Sequence, residues 1–181
     1  MLQITVPATE RWDEDKEEYV YTKERTLRLE HSLVSLSKWE SKWCKAFLSK
    51  KDKTHEETID YIKCMTVTPN VEPEVYECLT PKNIDEIYEY INAPMTATVI
   101  NEVGGGGKSN KDTVTSELIY YWMISLQIPP EYDKWHLNKL ITLIRVVSVK
   151  NAPPKKMSSS ERIRQNAALN ASRRAKSGSR G

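Results

Sequence analysis

The sequence changes character at Asn151-Ala152-Pro153-Pro154, and this change limits which part of the chain can build a packed core. Trp, Tyr and aliphatic residues recur through the first 150 residues. Beyond them, eight Lys or Arg residues stand against Glu161 alone, so residues 151–181 carry +7. The whole chain carries +2, so residues 1–150 carry −5. An acidic body joined to a cationic arm favours a protein that engages partners over an enzyme for a small molecule.

The body is long enough for one domain with a buried core. Apolar residues alternate with polar ones at Leu2/Ile4/Val6, Tyr19/Tyr21 and Leu27/Leu29. This pattern predicts strands in residues 1–30, joined by an acidic loop from Trp12 to Glu18. We therefore predict a mainly α fold with a small N-terminal β element (α+β): the β element packed on a helical core domain at 31–152, and a basic tail at 153–181 that is partly helical or disordered.

Helix starts are predicted from capping-box spacing at Ser37/Glu40, Thr54/Glu57 and Ser158/Glu161, from Thr80-Pro81, and from Pro130. Residues at helical spacing are expected to face the core: Leu36, Trp39, Trp43 and Phe47; Ile59, Ile62 and Met65; Ile84, Ile87, Tyr88 and Ile91; Leu118, Ile119, Trp122, Met123 and Leu126; Trp135, Leu137, Leu140, Ile141, Ile144 and Val147. In the tail, Ile163, Ala167 and Ala171 line only a weak stripe, so a helix there has little apolar surface of its own.

Four consecutive glycines at 104–107 precede Lys108 and Ser109, which invites comparison with a phosphate-binding loop. That motif needs a glycine where this chain has Glu102, and a carboxylate there would repel phosphate. We therefore predict a flexible loop at 104–111 and no nucleotide.

Cysteines and histidines supply no catalytic or metal-binding pattern. Cys44, Cys64 and Cys78 form neither an even set nor a close pair, which favours buried reduced thiols. The three histidines are scattered and are expected at the surface or at helix starts. We predict no catalytic residue, cofactor or metal. No segment has the length of a membrane span, and the N-terminus lacks the pattern of a signal peptide, so a cytosolic location is expected.

Two groups of residues are candidates for partner binding. Tyr120 and Tyr121 cannot both share the helix face of Trp122, so at least one ring is expected to face solvent or a partner. The cationic tail reads either as a solubilising end or as a docking arm, whose candidate residues are Arg162, Arg164, Arg173 and Arg174. Nucleic acid is disfavoured because the tail holds no aromatic residue to stack on bases and adjoins a body of opposite charge.

Several strings resemble a family of tailed-bacteriophage tail assembly chaperones: LEHSLVSLSKWESKW at 29–43, IYYWMI at 119–124, KWHLNKLITLI at 134–144 and RQNAALNA at 164–171. The resemblance covers most of residues 27–175. It implies a mostly helical protein without catalytic or cofactor residues that binds the tape-measure protein and helps the tail-tube protein polymerise around it. The β-like start departs from an all-helical pattern.

The resemblance implies action in the host cytoplasm during phage assembly, with self-association left open. A structural protein of the tail or of the head–tail connection, retained in the virion, is the alternative, and the β-like start would suit it.

Overall fold

A computed structural model describes residues 1–13, 17–49, 51–98, 113–151 and 159–177. These residues form strands β1 (Leu2–Val6), β2 (Thr9–Asp13), β3 (Glu18–Thr22) and β4 (Arg25–Leu29), and helices α1 (Leu33–Trp43), α2 (His55–Met65), α3 (Pro73–Glu77), α4 (Pro81–Asn92), α5 (Ser116–Ser125), α6 (Leu137–Asn151) and α7 (Ser159–Ser177). A 3₁₀ helix covers Pro130–Lys134. The mainly helical α+β fold is thus confirmed. The predicted glycine loop at 104–111 and the predicted cap Ser158 lie outside the described residues.

The chain divides into two compact units, residues 1–149 and 150–181. In the first, the N-terminal strands form two antiparallel two-stranded sheets, β1 with β4 and β2 with β3. The two sheets follow each other along the chain, and we call them the proximal and the distal half of the β-ribbon. Leu2 lies opposite Leu29 and Thr9 lies opposite Thr22, so the same register runs through both halves. The predicted loop from Trp12 to Glu18 is wrong at both ends, because cross-strand pairing extends β2 through Asp13 and begins β3 at Glu18.

The first helix starts and ends earlier than its apolar spacing suggests. Ser32 is the N-cap of α1, and it exchanges side-chain to backbone hydrogen bonds with Ser35, so the predicted box at Ser37 is wrong. A left-handed residue at Cys44 ends α1, and Phe47 therefore reaches the core from the following turn. The α2 start is confirmed, because Thr54 and Glu57 form the expected capping box.

Helix α4 also begins as predicted, with Thr80 as N-cap and Pro81 at the first position. The prediction of its inward face is partly wrong, because Tyr90 is buried while Tyr88 is about half exposed. Pro130 begins only the short 3₁₀ helix, and α6 starts seven residues later at Leu137. The side-chain amide of Asn138 donates to the carbonyls of Ile91 and Ala93 at 2.9 Å, which satisfies orphan acceptors at the end of α4.

The core of residues 1–149 lies where strands β1 and β4 pack against the helices. Its fully buried large side chains are Ile4, Leu27, Leu29, Leu33, Leu36, Trp39, Tyr61, Ile62, Met65, Ile119, Leu137 and Leu140. The three cysteines are free thiols, and Cys44 is exposed, so the prediction of a buried thiol is wrong there. Among the described helices, none combines the length and apolarity needed to cross a membrane.

Candidate partner-binding surface

Helix α5 carries the predicted pair Tyr120 and Tyr121, and its first turn is held by two acceptors. The Thr115 hydroxyl accepts from the Leu118 N–H at 3.5 Å, as an N-cap does. The Ser116 N–H donates to a carboxylate oxygen of Glu40 on α1 at 2.7 Å. The other Glu40 oxygen accepts from the Phe47 N–H at 2.9 Å. One buried carboxylate therefore ties α1, its following turn and α5 together.

The two faces of α5 have opposite surroundings. Ile119 and Met123 are buried against the core. Tyr121 is 62% exposed and Ile124 is 77% exposed, and their spacing of three residues puts them on one outward face. We call these two side chains the α5 surface pair. The prediction that at least one ring of the tyrosine pair faces outward is confirmed for Tyr121.

The end of α5 is also well defined. Gln127 takes a left-handed conformation at φ 55°, and the Ile128 N–H donates back to the Met123 carbonyl at 2.8 Å. This is the hydrogen bond of a Schellman motif, which satisfies a terminal carbonyl and buries the residue that follows. The surface pair is therefore carried on a helix anchored at both ends.

Tyr120 lies half-buried on another side of α5. Burial raises the pKa of its phenol, and the nearby Asp133 carboxylate raises that pKa further. Asp133 Oδ1 is buried and accepts no hydrogen bond from the part of the chain that the structure describes. Tyr120 is thus the more covered of the two, and Tyr121 is the tyrosine that offers a contact surface.

The four candidate arginines are exposed on α7, which belongs to the second unit. Arg162 and Arg173 are eleven residues apart, so they lie on nearly the same side of the helix. Arg164 lies on a different side of the helix from both. The helix therefore presents positive charge around its circumference rather than one arginine stripe, which suits a diffuse acidic surface more than a single anionic pocket.

A second aromatic surface, on β2 and β3, was missed because Trp12 was expected to lie in a loop and not in a strand beside Tyr19 and Tyr21. Trp12, Tyr19 and Tyr21 are 47, 57 and 70% exposed. The rings of Trp12 and Tyr19 meet edge to face with their centres 4.9 Å apart. The sequence did carry a signal for this surface. Trp12 and Tyr19 directly flank the acidic residues 13–18, and a hairpin centred on those residues places the two rings opposite each other.

Two of the three histidines, His31 and His136, lie beside each other in the folded chain. His31 Nδ1 and the Tyr61 hydroxyl share a hydrogen bond of 2.6 Å, and the His136 ring centre lies 5.1 Å from that of His31. Burial, and then the neighbouring His136, lower the pKa of His31 to about 3. His31 and His136 precede helices and His55 begins one, so the helix-start prediction holds. Surface exposure holds for His55 and is wrong for His31.

This histidine pair has the character of a structural polar cluster. His136 Nε2 contacts the Tyr90 carbonyl at 3.0 Å, and the Leu137 N–H donates to the His31 carbonyl. In the described ranges, no group of three or more His, Cys, Asp or Glu side chains could hold a metal ion.

No protein-family model matches this chain, and neither a curated protein nor a solved structure matches it.

Proposed function

We propose that this chain is a non-enzymatic tail assembly chaperone of a tailed bacteriophage, which binds the tape-measure protein, the tail-tube protein or both. The observation that carries the proposal is the α5 surface pair, Tyr121 and Ile124, which lies inside the string IYYWMI of the resemblance. Apolar side chains that adjoin one another on an exposed helix face are typical of a partner contact. A long helical tape measure has apolar surface that would aggregate before assembly, and such a contact would cover it.

The cationic unit supports a second, electrostatic contact with the same partner. Exposed arginines on α7 raise the association rate with an acidic protein surface, and salt weakens that attraction. The α5 surface pair would then supply most of the short-range contact, while the arginines would guide encounter.

The test is co-expression with the product of the longest neighbouring phage gene, which is the candidate tape measure. We expect that protein to become soluble and to co-purify with this chain. A Tyr121→Ser/Ile124→Ser variant should capture at least about tenfold less, since two exposed apolar anchors are lost. The matched control is Val67→Ser/Tyr88→Ser, two exposed apolar residues elsewhere. Absence of capture, or equal capture by all three forms, would contradict the proposal.

A charge-reversed form separates the two contacts. Glutamate at positions 162, 164, 173 and 174 should weaken capture at low salt and have little effect at high salt. Equal capture by the wild-type and charge-reversed chains at low salt would assign the tail to solubility alone.

A structural virion protein is the second candidate, and the N-terminal β-ribbon is the observation that favours it, because it departs from the all-helical pattern of the chaperones. Mass spectrometry of purified virions distinguishes the two. A fixed copy number in mature particles would favour the structural role, while absence from them would favour the chaperone.

A further inference from the structure

The distal half of the β-ribbon presents an exposed aromatic face. Trp12 lies opposite Tyr19, and Glu10 lies opposite Tyr21. Directly opposed residues of an antiparallel pair share a face, and so do residues two apart on one strand. Glu10, Trp12, Tyr19 and Tyr21 therefore form one surface, the hairpin face, in which a carboxylate stands beside three rings.

The same alternation of apolar residues occurs on β1 and β4, where it is buried. Ile4 and Val6 are buried on β1, and Leu27 lies opposite Ile4 on β4. The two sheets keep one pairing register, so the residues of the hairpin face hold the alternation positions that are buried in the sheet of β1 and β4. The apolar alternation thus continues beyond the sheet whose side chains are buried.

The charge of the distal ribbon indicates what can cover the exposed part. Residues 9–22 contain six carboxylates and two basic residues, which gives a charge of −4. The described carboxylates Glu10 and Glu17 are both exposed. This charge repels phosphate and anionic lipid and attracts a cation.

Elsewhere in the molecule, lysines already cover aromatic rings. The Lys139 ammonium lies 4.1 Å from the Trp135 ring centre, and the Lys53 ammonium lies 4.4 Å from that of Phe47. Among the described side chains, no lysine or arginine lies over a ring of the hairpin face. The exposure of Trp12 and Tyr21 leaves π surface that a cation from another molecule can contact in the same way.

We propose that the hairpin face is a docking site for a segment of a protein partner that carries arginine or lysine. The cation lies on the exposed rings of Trp12 and Tyr21, and the Glu10 carboxylate pairs with it. The site is distinct from the α5 surface pair, and the proposal does not depend on a phage partner.

The experiment titrates the full-length protein with a fluorescent peptide of about 12 residues in which arginine alternates with alanine, and follows fluorescence anisotropy. The matched probe carries citrulline, which has the shape of arginine without its charge. We expect the arginine peptide to bind at low salt and the citrulline peptide to bind at least about tenfold more weakly.

Variants locate the binding on the protein. Trp12→Ala/Tyr21→Ala should weaken arginine-peptide binding about tenfold, and Glu10→Gln about threefold. Tyr88→Ala, an exposed ring on α4, should bind as the wild type does. The titration is repeated with Arg162, Arg164, Arg173 and Arg174 changed to glutamine, because these arginines of the protein itself would compete with the peptide for the hairpin face.

Three results would overturn the proposal: absence of binding in both backgrounds, equal binding of the citrulline peptide, or unchanged binding by the Trp12→Ala/Tyr21→Ala variant. Retention on phosphatidylserine vesicles that requires the same rings, without peptide binding, would instead make the hairpin face a membrane contact.

Discussion

Trp39 and Trp12 are the same residue type in two regions with opposite environments. Trp39 on α1 is 1% exposed, and its indole N–H donates to the Glu57 carbonyl at 2.8 Å. Trp12 on β2 is 47% exposed, and its ring meets that of Tyr19 edge to face. At Trp39 the helices cover the ring and satisfy its polar atom. The distal ribbon packs mainly on itself and leaves its rings to solvent.

Aromatic content alone therefore does not predict a core. In the helical region, polar groups fix where the helices sit: Lys42 pairs with Asp60, and Lys45 pairs with Glu57. Burial opposes ionisation of Asp60, but the hydrogen bonds from Lys42 and Trp43 outweigh it, so the pKa of that carboxyl is lowered. In the distal half of the ribbon, backbone pairing between β2 and β3 supplies the order, and the rings of Trp12, Tyr19 and Tyr21 remain exposed for a contact.

The largest expected effect comes from removing each tryptophan in turn. Trp39→Ala should reduce the free energy of unfolding by about 4 kcal/mol, because it leaves a large cavity and an unpaired carbonyl. Trp12→Ala should cost only about 0.5 kcal/mol, the value of an exposed cross-strand pair. Urea unfolding measures both. Similar losses for the two variants would remove the distinction between the regions.

Glu40→Ala should have the next largest effect on stability. It leaves the N–H groups of Phe47 and Ser116 without their buried acceptor, at a cost of about 3 kcal/mol. Glu40→Gln keeps one oxygen acceptor and should lose less. The exposed Glu89→Ala serves as control and should change stability by less than about 0.5 kcal/mol. A loss for Glu40→Ala no larger than the control's would show that α5 is held by apolar packing alone.

Acid should destabilise the helical region through His31. Its folded-state pKa of about 3 lies below the value of 6.5 for an exposed histidine, so the unfolded state binds the proton more readily. The stability is complete above about pH 6.5 and declines as pH falls toward 3, by roughly 2–3 kcal/mol at about pH 4.5.

The variant His31→Gln should lose much of this pH dependence while keeping a polar partner for Tyr61. Urea unfolding at about pH 7 and pH 4.5 measures the slope for both proteins. The pKa values of Glu57 and Asp60 are also lowered, and both carboxylates are present in both proteins, so their contributions cancel in the comparison. An equal slope in the two proteins would rule out His31 as its source.

The smallest effect is expected from truncation after Ala152. The described side chains of residues 159–175 are all exposed, so their removal should change the free energy of unfolding by less than about 0.5 kcal/mol. Thermal melting followed by circular dichroism gives the midpoint. A fall of more than about 5 °C would mean that the tail supports the body.

Local signals predicted some helix starts and failed at others for a physical reason. Thr54 with Glu57 forms its capping box within four residues, so short-range chemistry suffices to predict it. Ser37 with Glu40 has the same spacing, but Glu40 accepts from residues 7 and 76 positions away in the chain. Sequence spacing cannot distinguish a carboxylate used locally from one used across the fold.

The candidate site was also predicted only in part, because some of it depends on contacts between distant parts of the chain. The three adjacent aromatic residues at 120–122 cannot share one helix face, so periodicity alone required an outward ring at α5. The contacts of α5 decided that the outward ring is Tyr121. Ile124 lies on the same side of α5 and is also exposed, because no described side chain covers it. The hairpin face required the pairing of β2 with β3, which the acidic residues between them obscured.

The amino-acid sequence by itself determined the mainly helical class with its small β element, the charge of each part and several helix starts, because periodicity, charge and capping act over a few residues. Which aromatic rings are buried follows from the folded chain, since burial depends on the side chains that distant segments bring against each ring. The same holds for Glu40 and His31, whose surroundings come from helices far apart in sequence. Solvation and packing in three dimensions assign such side chains to core or surface.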